Sequence, residues 1–243
     1  MRRLAILLMS LVLAAGCAAP SAEESLPAPA DLLNQAADRI RAAETFRMTV
    51  ERTGAEYIIT TDLGDAVFRR ADVRYVSPDS MQAKVRVLAV GLPIDLDFLF
   101  QGEKQWLRGI WTNNVWVPIA FAPGFTPAAL IAEQTGFQAA IQSLTQLQLV
   151  GRDQLVDGTP VWHLKASADG EDVSAFMAGL IDVLGRVNAD VYIHRETLLP
   201  VQFIIVQPDT VTADQPDPTT WLIEIFDFNQ PATIDNPEAT PES

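Results

Sequence analysis

The chain has 243 residues, with 17 Lys or Arg against 31 Asp or Glu and a formal net charge of −14 when His is neutral. So acidic a chain repels phosphate backbones, which excludes nucleic acid as a partner. Its single cysteine excludes an intramolecular disulfide, a Cys-ligated zinc or a thiol nucleophile elsewhere, and roughly 200 ordered residues fit one domain with a sizeable core.

Arg2 and Arg3 open the chain, and the run from Leu4 to Gly16 is almost wholly apolar. This is the layout of a secretory signal peptide, residues 1–16, and it falls short of the ~20 residues of a comfortable membrane span. Ala15 and Gly16 before Cys17 resemble the lipobox of bacterial lipoproteins, whose cysteine is acylated and becomes the mature N-terminus. Ala14 stands where that motif usually has Leu, with Leu13 one place earlier. Acylation of Cys17 explains a free thiol on an exported chain, and two acyl chains anchor stably at ~0.8 kcal/mol per buried CH₂. The expected location is therefore the cell membrane, lipid-anchored and facing outside the cytoplasm. Loss of Arg2 and Arg3 leaves 15 basic against 31 acidic residues, a net −16, so the anchor rather than a basic face supplies membrane contact.

Residues 17–30 carry the lipidated cysteine and a tether of Ala, Pro, Ser and Glu with one Leu. Asp31 reads as an N-cap, and Leu33, Ala36, Ala37, Ile40 and Ala43 recur at helical spacing, predicting a helix that ends near Thr45. The period then changes to two. Phe46, Met48 and Val50 alternate with Arg47, Thr49 and Glu51, and Val85, Val87 and Ala89 with Lys84, Arg86 and Leu88. Strands are expected over 57–61, 67–76, 81–90, 94–100, 105–110 and 115–119, with turns at Gly64-Asp65, Gly102-Glu103 and Asn113-Asn114. Short connections and one polar face mean a largely antiparallel sheet with one face buried.

Phe121 and Phe125 lie in an apolar loop, and Thr126-Pro127 opens a helix by a cap and a proline whose missing N–H costs nothing there. It carries Leu130 and Ile131, breaks at Gly136 and resumes with Phe137, Ile141 and Leu144. Strands return over 147–155 and 161–166, joined by Asp157-Gly158. Val173, Phe176, Met177, Leu180, Ile181 and Leu184 keep the i, i+3, i+4, i+7 rule and predict a further helix, with small residues on its other side. Strands over 188–194, 201–206 and 221–228 complete a single domain, residues 31–229, and residues 230–243 read as a disordered acidic tail.

Catalytic signals are sparse. His163 and His194 each sit in a predicted strand on its more polar face, where pairing is commoner than catalysis. No HExxH, nucleophile elbow or phosphate loop occurs. Asp95 and Asp97 share one strand face, a geometry open to a cation or an acid/base pair but more often a solvated face. Asp209, Asp214 and Asp217 fit no calcium motif. The sequence predicts no enzyme, no cofactor and no metal. Its supply of apolar surface reads as helices laid across a curved sheet, and periodicity leaves open whether they enclose a hydrophobic cavity or a close-packed core.

Gly151 to Leu164, GRDQLVDGTPVWHL, resembles the hairpin of the LppX/LprAFG family of bacterial lipoproteins, itself part of a wider group similar to LolA and LolB. Asp190 to Val201, DVYIHRETLLPV, is similar to the family's strand-turn-strand element, with Tyr192 and His194 in place of the usual Trp and Asp and with Thr197, Leu199 and Pro200 matching. Phe226-Asp227-Phe228-Asn229 followed by Pro231 resembles its closing strand. The resemblance implies an α+β fold, a half-barrel sheet wrapped around a few helices with a cavity for acyl chains. It also implies a monomeric carrier that binds a membrane lipid or glycolipid and moves or presents it in the envelope, with an envelope transporter as a partner. Lining candidates are Phe98, Phe100, Phe121, Phe125, Leu130, Ile131, Phe137, Ile141, Phe176, Met177, Leu180 and Ile181, and the loop over 120–126 is the candidate lid. The alternative is a non-catalytic scaffold or chaperone-like lipoprotein that binds a protein partner.

Overall fold

A computed structural model describes residues 26–61, 64–121, 124–177 and 181–237. The signal peptide, Cys17 and the start of the tether lie outside the described residues. Helix α1 (Pro29–Arg41) leads into strands β1 (Thr45–Thr53), β2 (Ile58–Thr61), β3 (Gly64–Val76), β4 (Ser80–Ala89), β5 (Leu92–Gln101), β6 (Lys104–Arg108) and β7 (Val117–Pro118). Helix α2 (Phe137–Gln142) precedes β8 (Thr145–Gln154) and β9 (Pro160–Asp169), and the short α3 (Gly170–Val173) precedes β10 (Arg186–His194), β11 (Pro200–Gln207) and β12 (Thr219–Phe226). The twelve strands form one curved, antiparallel, open sheet in the order β7-β6-β5-β4-β3-β1-β12-β11-β10-β9-β8, with β2 paired to β3 alone. The first and last strands thus meet at its centre, with Val50 opposite Ile223 and Met48 opposite Ile225.

The period-two pattern explains which face is filled. Phe46, Met48 and Val50 of β1, Val85 and Val87 of β4, Val187, Ala189 and Val191 of β10, and Trp221, Ile223 and Ile225 of β12 are all buried. Helix α1 lays Leu33, Ala36, Ala37 and Ile40 into the same core and packs against α2, β8 and β11. It begins before Asp31. Ala28 is the N-cap and Pro29 the first helical residue, because proline's fixed φ suits that position, and Asp31 falls in the first turn.

The long helix expected over 173–184 does not form as such. The chain makes a four-residue α-turn at Gly170–Val173, a 3₁₀ turn at Ser174–Met177, and non-helical backbone over 181–184. Ser174 decides this: its hydroxyl donates to the Gly170 carbonyl (3.1 Å) and accepts the Val183 N–H (2.9 Å). Such side-chain bonds compete with the helix ladder. The Gly170 N–H also reaches the Gly185 carbonyl at 2.6 Å, closing the segment into a loop. The apolar spacing still identified buried residues (Val173, Phe176, Met177 and Ile181), but Leu184 is exposed.

The helix expected after Thr126 is likewise reduced to a 3₁₀ turn, Pro127–Leu130, and then α2, with the break at Gly136. A Cβ at Gly136 would stand 2.1 Å from the Leu130 carbonyl oxygen, so only glycine permits the close approach. Past β12 the chain is held against the polar face of the sheet instead of fraying at Asn229. The Glu44 N–H donates to Asn229 Oδ1 (2.8 Å), Thr45 Oγ1 to the Gln230 carbonyl (2.7 Å), and the Asp235 N–H to Gln82 Oε1 (3.1 Å).

Candidate functional site

The concave face is aromatic at its centre. Phe46 stacks on Tyr75 (4.8 Å, 21°) and meets Phe137 edge-on (5.9 Å, 89°). Phe137 lies 5.8 Å from Phe176, which stacks on Phe203 at 4.3 Å. Two predicted lining residues, Phe137 and Phe176, are therefore brought together by Phe46, Tyr75 and Phe203. Ile141, Met177, Ile181 and Leu130 are buried in the same core, and Leu180 lies outside the described residues. Among the described residues, no helix is long and apolar enough to cross a membrane.

A second group forms a seam at one side. Phe98 and Phe100 point from β5 into the interior, and the chain that leaves β7 lays Phe121 against Phe98 (4.5 Å) and Phe125 edge-on to Phe100 (5.4 Å, 84°). Phe121 is exposed and Phe125 and Ile131 are partly buried, whereas Phe98 and Phe100 are buried. The side chains of the expected lid thus rest on β5 and cover its apolar face. They are held there by ring contacts, which are individually weak.

The opposite face is polar and ion-paired. Asp95 accepts two bonds from Arg86 (2.7 and 3.0 Å) with Lys84 at 3.4 Å, and Asp97 pairs with Arg108 at 3.0 Å. The Arg86 guanidinium holds the Asp95 carboxyl below the usual carboxylate range, which suits an ion pair and not a proton donor. Grooves of about 430 and 280 Å³ lie on this face, lined by residues such as Arg47, Arg74, Asp227 and Asp235. His163 is also here, its Nε2 2.6 Å from Asp190 Oδ1 and its ring stacked on Tyr192 at 4.5 Å. His194 accepts the N–H groups of Glu196 and Thr197 on Nδ1, both at 3.2 Å, and so fixes the β10–β11 turn. Both histidines have structural partners.

Sequence reasoning missed Phe46, Tyr75 and Phe203 as members of the aromatic centre. The signal was present in the alternation of β1, β3 and β11, but alternation tells which face a residue shares and not which ring it meets across the fold.

No curated protein matches this sequence. Two crystal structures share its fold. LprF from Mycobacterium bovis is 15% identical, with 88% of this chain and 99% of that one covered at a TM-score of 0.62. The lipoprotein LppX of Mycobacterium tuberculosis is 18% identical, with 87% and 100% covered at a TM-score of 0.56. The profile of the LppX_LprAFG lipoproteins matches residues 28–234, most of the chain and every strand of the sheet, and this chain belongs to that family.

Proposed function

We propose that this protein is an envelope lipid carrier, anchored through acylated Cys17, that accommodates acyl chains of a membrane lipid or glycolipid between the concave face and its cover. The observation that carries the reading is the cover itself. The apolar face of β5 is roofed by a loop and short helical turns through Phe121, Phe125 and Leu130, with no long helix locking it. Membership of a lipoprotein family supports the export and the anchor.

In this mechanism the loop over 120–126 moves off β5, and an acyl chain takes the place of Phe121 and Phe125 against Phe98 and Phe100. Burying about 10 methylenes contributes about 8 kcal/mol before ordering costs, enough to displace two partly exposed rings. The deeper rings, Phe46, Phe137, Phe176 and Phe203, then repack to set how far the chain enters. No step in this cycle makes or breaks a covalent bond.

The test is mass spectrometry of organic extracts from the natively purified chain beginning at Ala18. A two- or three-chain lipid at one equivalent per protein is expected. A lipid-free protein that also fails to take up a fluorescent lipid overturns the carrier reading and favours the scaffold.

A further inference from the structure

We infer that one end of the sheet is a membrane-docking rim, built from the β4–β5 turn and the uncharged chain that leaves β6, which insert apolar side chains into the interfacial layer of a bilayer. The strand register gathers these segments. Ala89 pairs with Leu92, which sets the β4–β5 turn at this end, and Ala66 pairs with Ala89, so the start of β3 borders it. Asp97 pairs with Arg108, and the chain leaving β6 runs on beside Leu96 and Asp95 toward that end. There Val90 is 99% exposed, Leu92 67%, Ile110 68%, Trp111 54% and Val115 60%.

Three observations point to a bilayer as the occupant. First, charge is absent from both inserting segments, since residues 87–94 and 109–132 contain no Asp, Glu, Lys or Arg, while Asp62, in the sequence between β2 and β3, and Asp65, at the start of β3, fall outside them. A protein-binding patch ringed by charges would keep some for specificity, whereas an inserting loop must shed them. Second, the residue types suit the headgroup boundary, with Trp111 among Val, Leu and Ile. Third, Val90 adopts φ +52° and Gly91 φ +77° at the tip of the β4–β5 turn. A two-residue hairpin of this kind favours Asn-Gly, and a β-branched residue at positive φ is strained. An exposed valine kept at a strained tip has a use for its side chain.

The inference rests on the anchoring proposed above, which keeps the bilayer in reach. The 12 residues from Cys17 to Pro29 span at most about 40 Å. Docking then brings the sheet end to the lipid source, so a lipid passes from bilayer to protein without crossing water.

The experiment uses the chain beginning at Ala18, which contains every described element, with phosphatidylcholine vesicles in a flotation assay. The unlipidated protein should float with the vesicles, and its binding should weaken when phosphatidylglycerol is added at low salt, because the chain is acidic. The paired change Val90→Glu and Leu92→Glu should lower the vesicle-bound fraction at least tenfold, with circular dichroism unchanged. Val156→Glu, in the fully exposed turn at the opposite end, should leave it as it was. Trp111→Ser supplies a second rim variant should the paired change disturb the fold. Wild-type protein that stays below the vesicles, or rim variants that float equally well, overturns the docking rim. A dimer that the rim variants abolish overturns it in favour of a second copy of this chain. Uptake of a monomeric fluorescent fatty acid by the rim variants separates the two proposals, since a carrier with a damaged rim still takes up lipid delivered in solution.

Discussion

Arg52 carries a charge into the largely apolar inner face of the sheet. It sits opposite Trp221 in the register and is only 4% exposed. Its Nε donates to the Phe68 carbonyl (2.9 Å), and Nη1 to the carbonyls of Gly54 and Ala55 (both 2.7 Å). Burial pushes its pKa down, and nearby Arg69 adds to the effect. One side chain thus serves three carbonyls, those of Gly54 and Ala55 past β1 and that of Phe68 in β3, and Ala55 accepts the Thr219 hydroxyl as well (3.0 Å). Arg52→Met should cost about 3 kcal/mol, since bonds to a charged donor contribute ~1.5–3 kcal/mol each and part of that is offset by relieved desolvation. Urea unfolding measures it, and a loss below ~1 kcal/mol would mean water replaces the guanidinium. Val90 lies at the other extreme, exposed and strained. Val90→Asn should raise stability by ~1 kcal/mol, the lower end of the cost of such strain, while reducing vesicle binding. A variant that gains stability and keeps full binding would separate the strain from the docking role.

Among the elements, the segment after β12 does more than its composition suggests. Asn229 to Ser243 is Pro-rich with acidic residues, and such stretches usually read as disorder. Here it ties the start of β1 to β4 and β6: the Asn229 N–H donates to the Thr45 carbonyl (2.8 Å), and Asp235 pairs with Arg108 at 3.1 Å. Each contact is exposed or partly so and individually weak, so truncation after Phe228 should lower stability by only ~1–2 kcal/mol. Thermal unfolding tests this, and an unchanged midpoint would show that the strap adds nothing to the fold. The strap was not legible because its ordering comes from partners about 130 to 185 residues away in sequence.

The whole molecule is organised by one long-range pairing. β1 and β12, the first and last strands, meet at the middle of the sheet, which divides it into two meanders of consecutive strands. Within each meander the hairpin turns were readable, as with Asp157-Gly158 and Asn113-Asn114, where positive φ favours Asn and Gly. The carrier reading belongs to this scale, because an acyl chain needs the joint surface of both meanders and the cover over β5. An empty protein in the lipid-extraction experiment would mean that this surface is permanently filled by its own rings.

By itself the sequence determined the antiparallel sheet, its buried face, the leading helix, the family and the uncharged loop after Arg108. All of these follow from spacing within a strand, a helix or a short motif, where each residue reports on its near neighbours. Only the tertiary structure decided that, among the described residues of the 173–184 stripe, the helix stops at Met177 and residues 181–184 are not helical, because Ser174 and Gly170 bind partners nine to fifteen residues away. It also decided that Phe46, Tyr75, Phe137, Phe176 and Phe203 form one aromatic centre and that Val90, Leu92, Ile110 and Trp111 are left exposed. Periodicity gives each residue a side; closure of the sheet chooses what stands across from it.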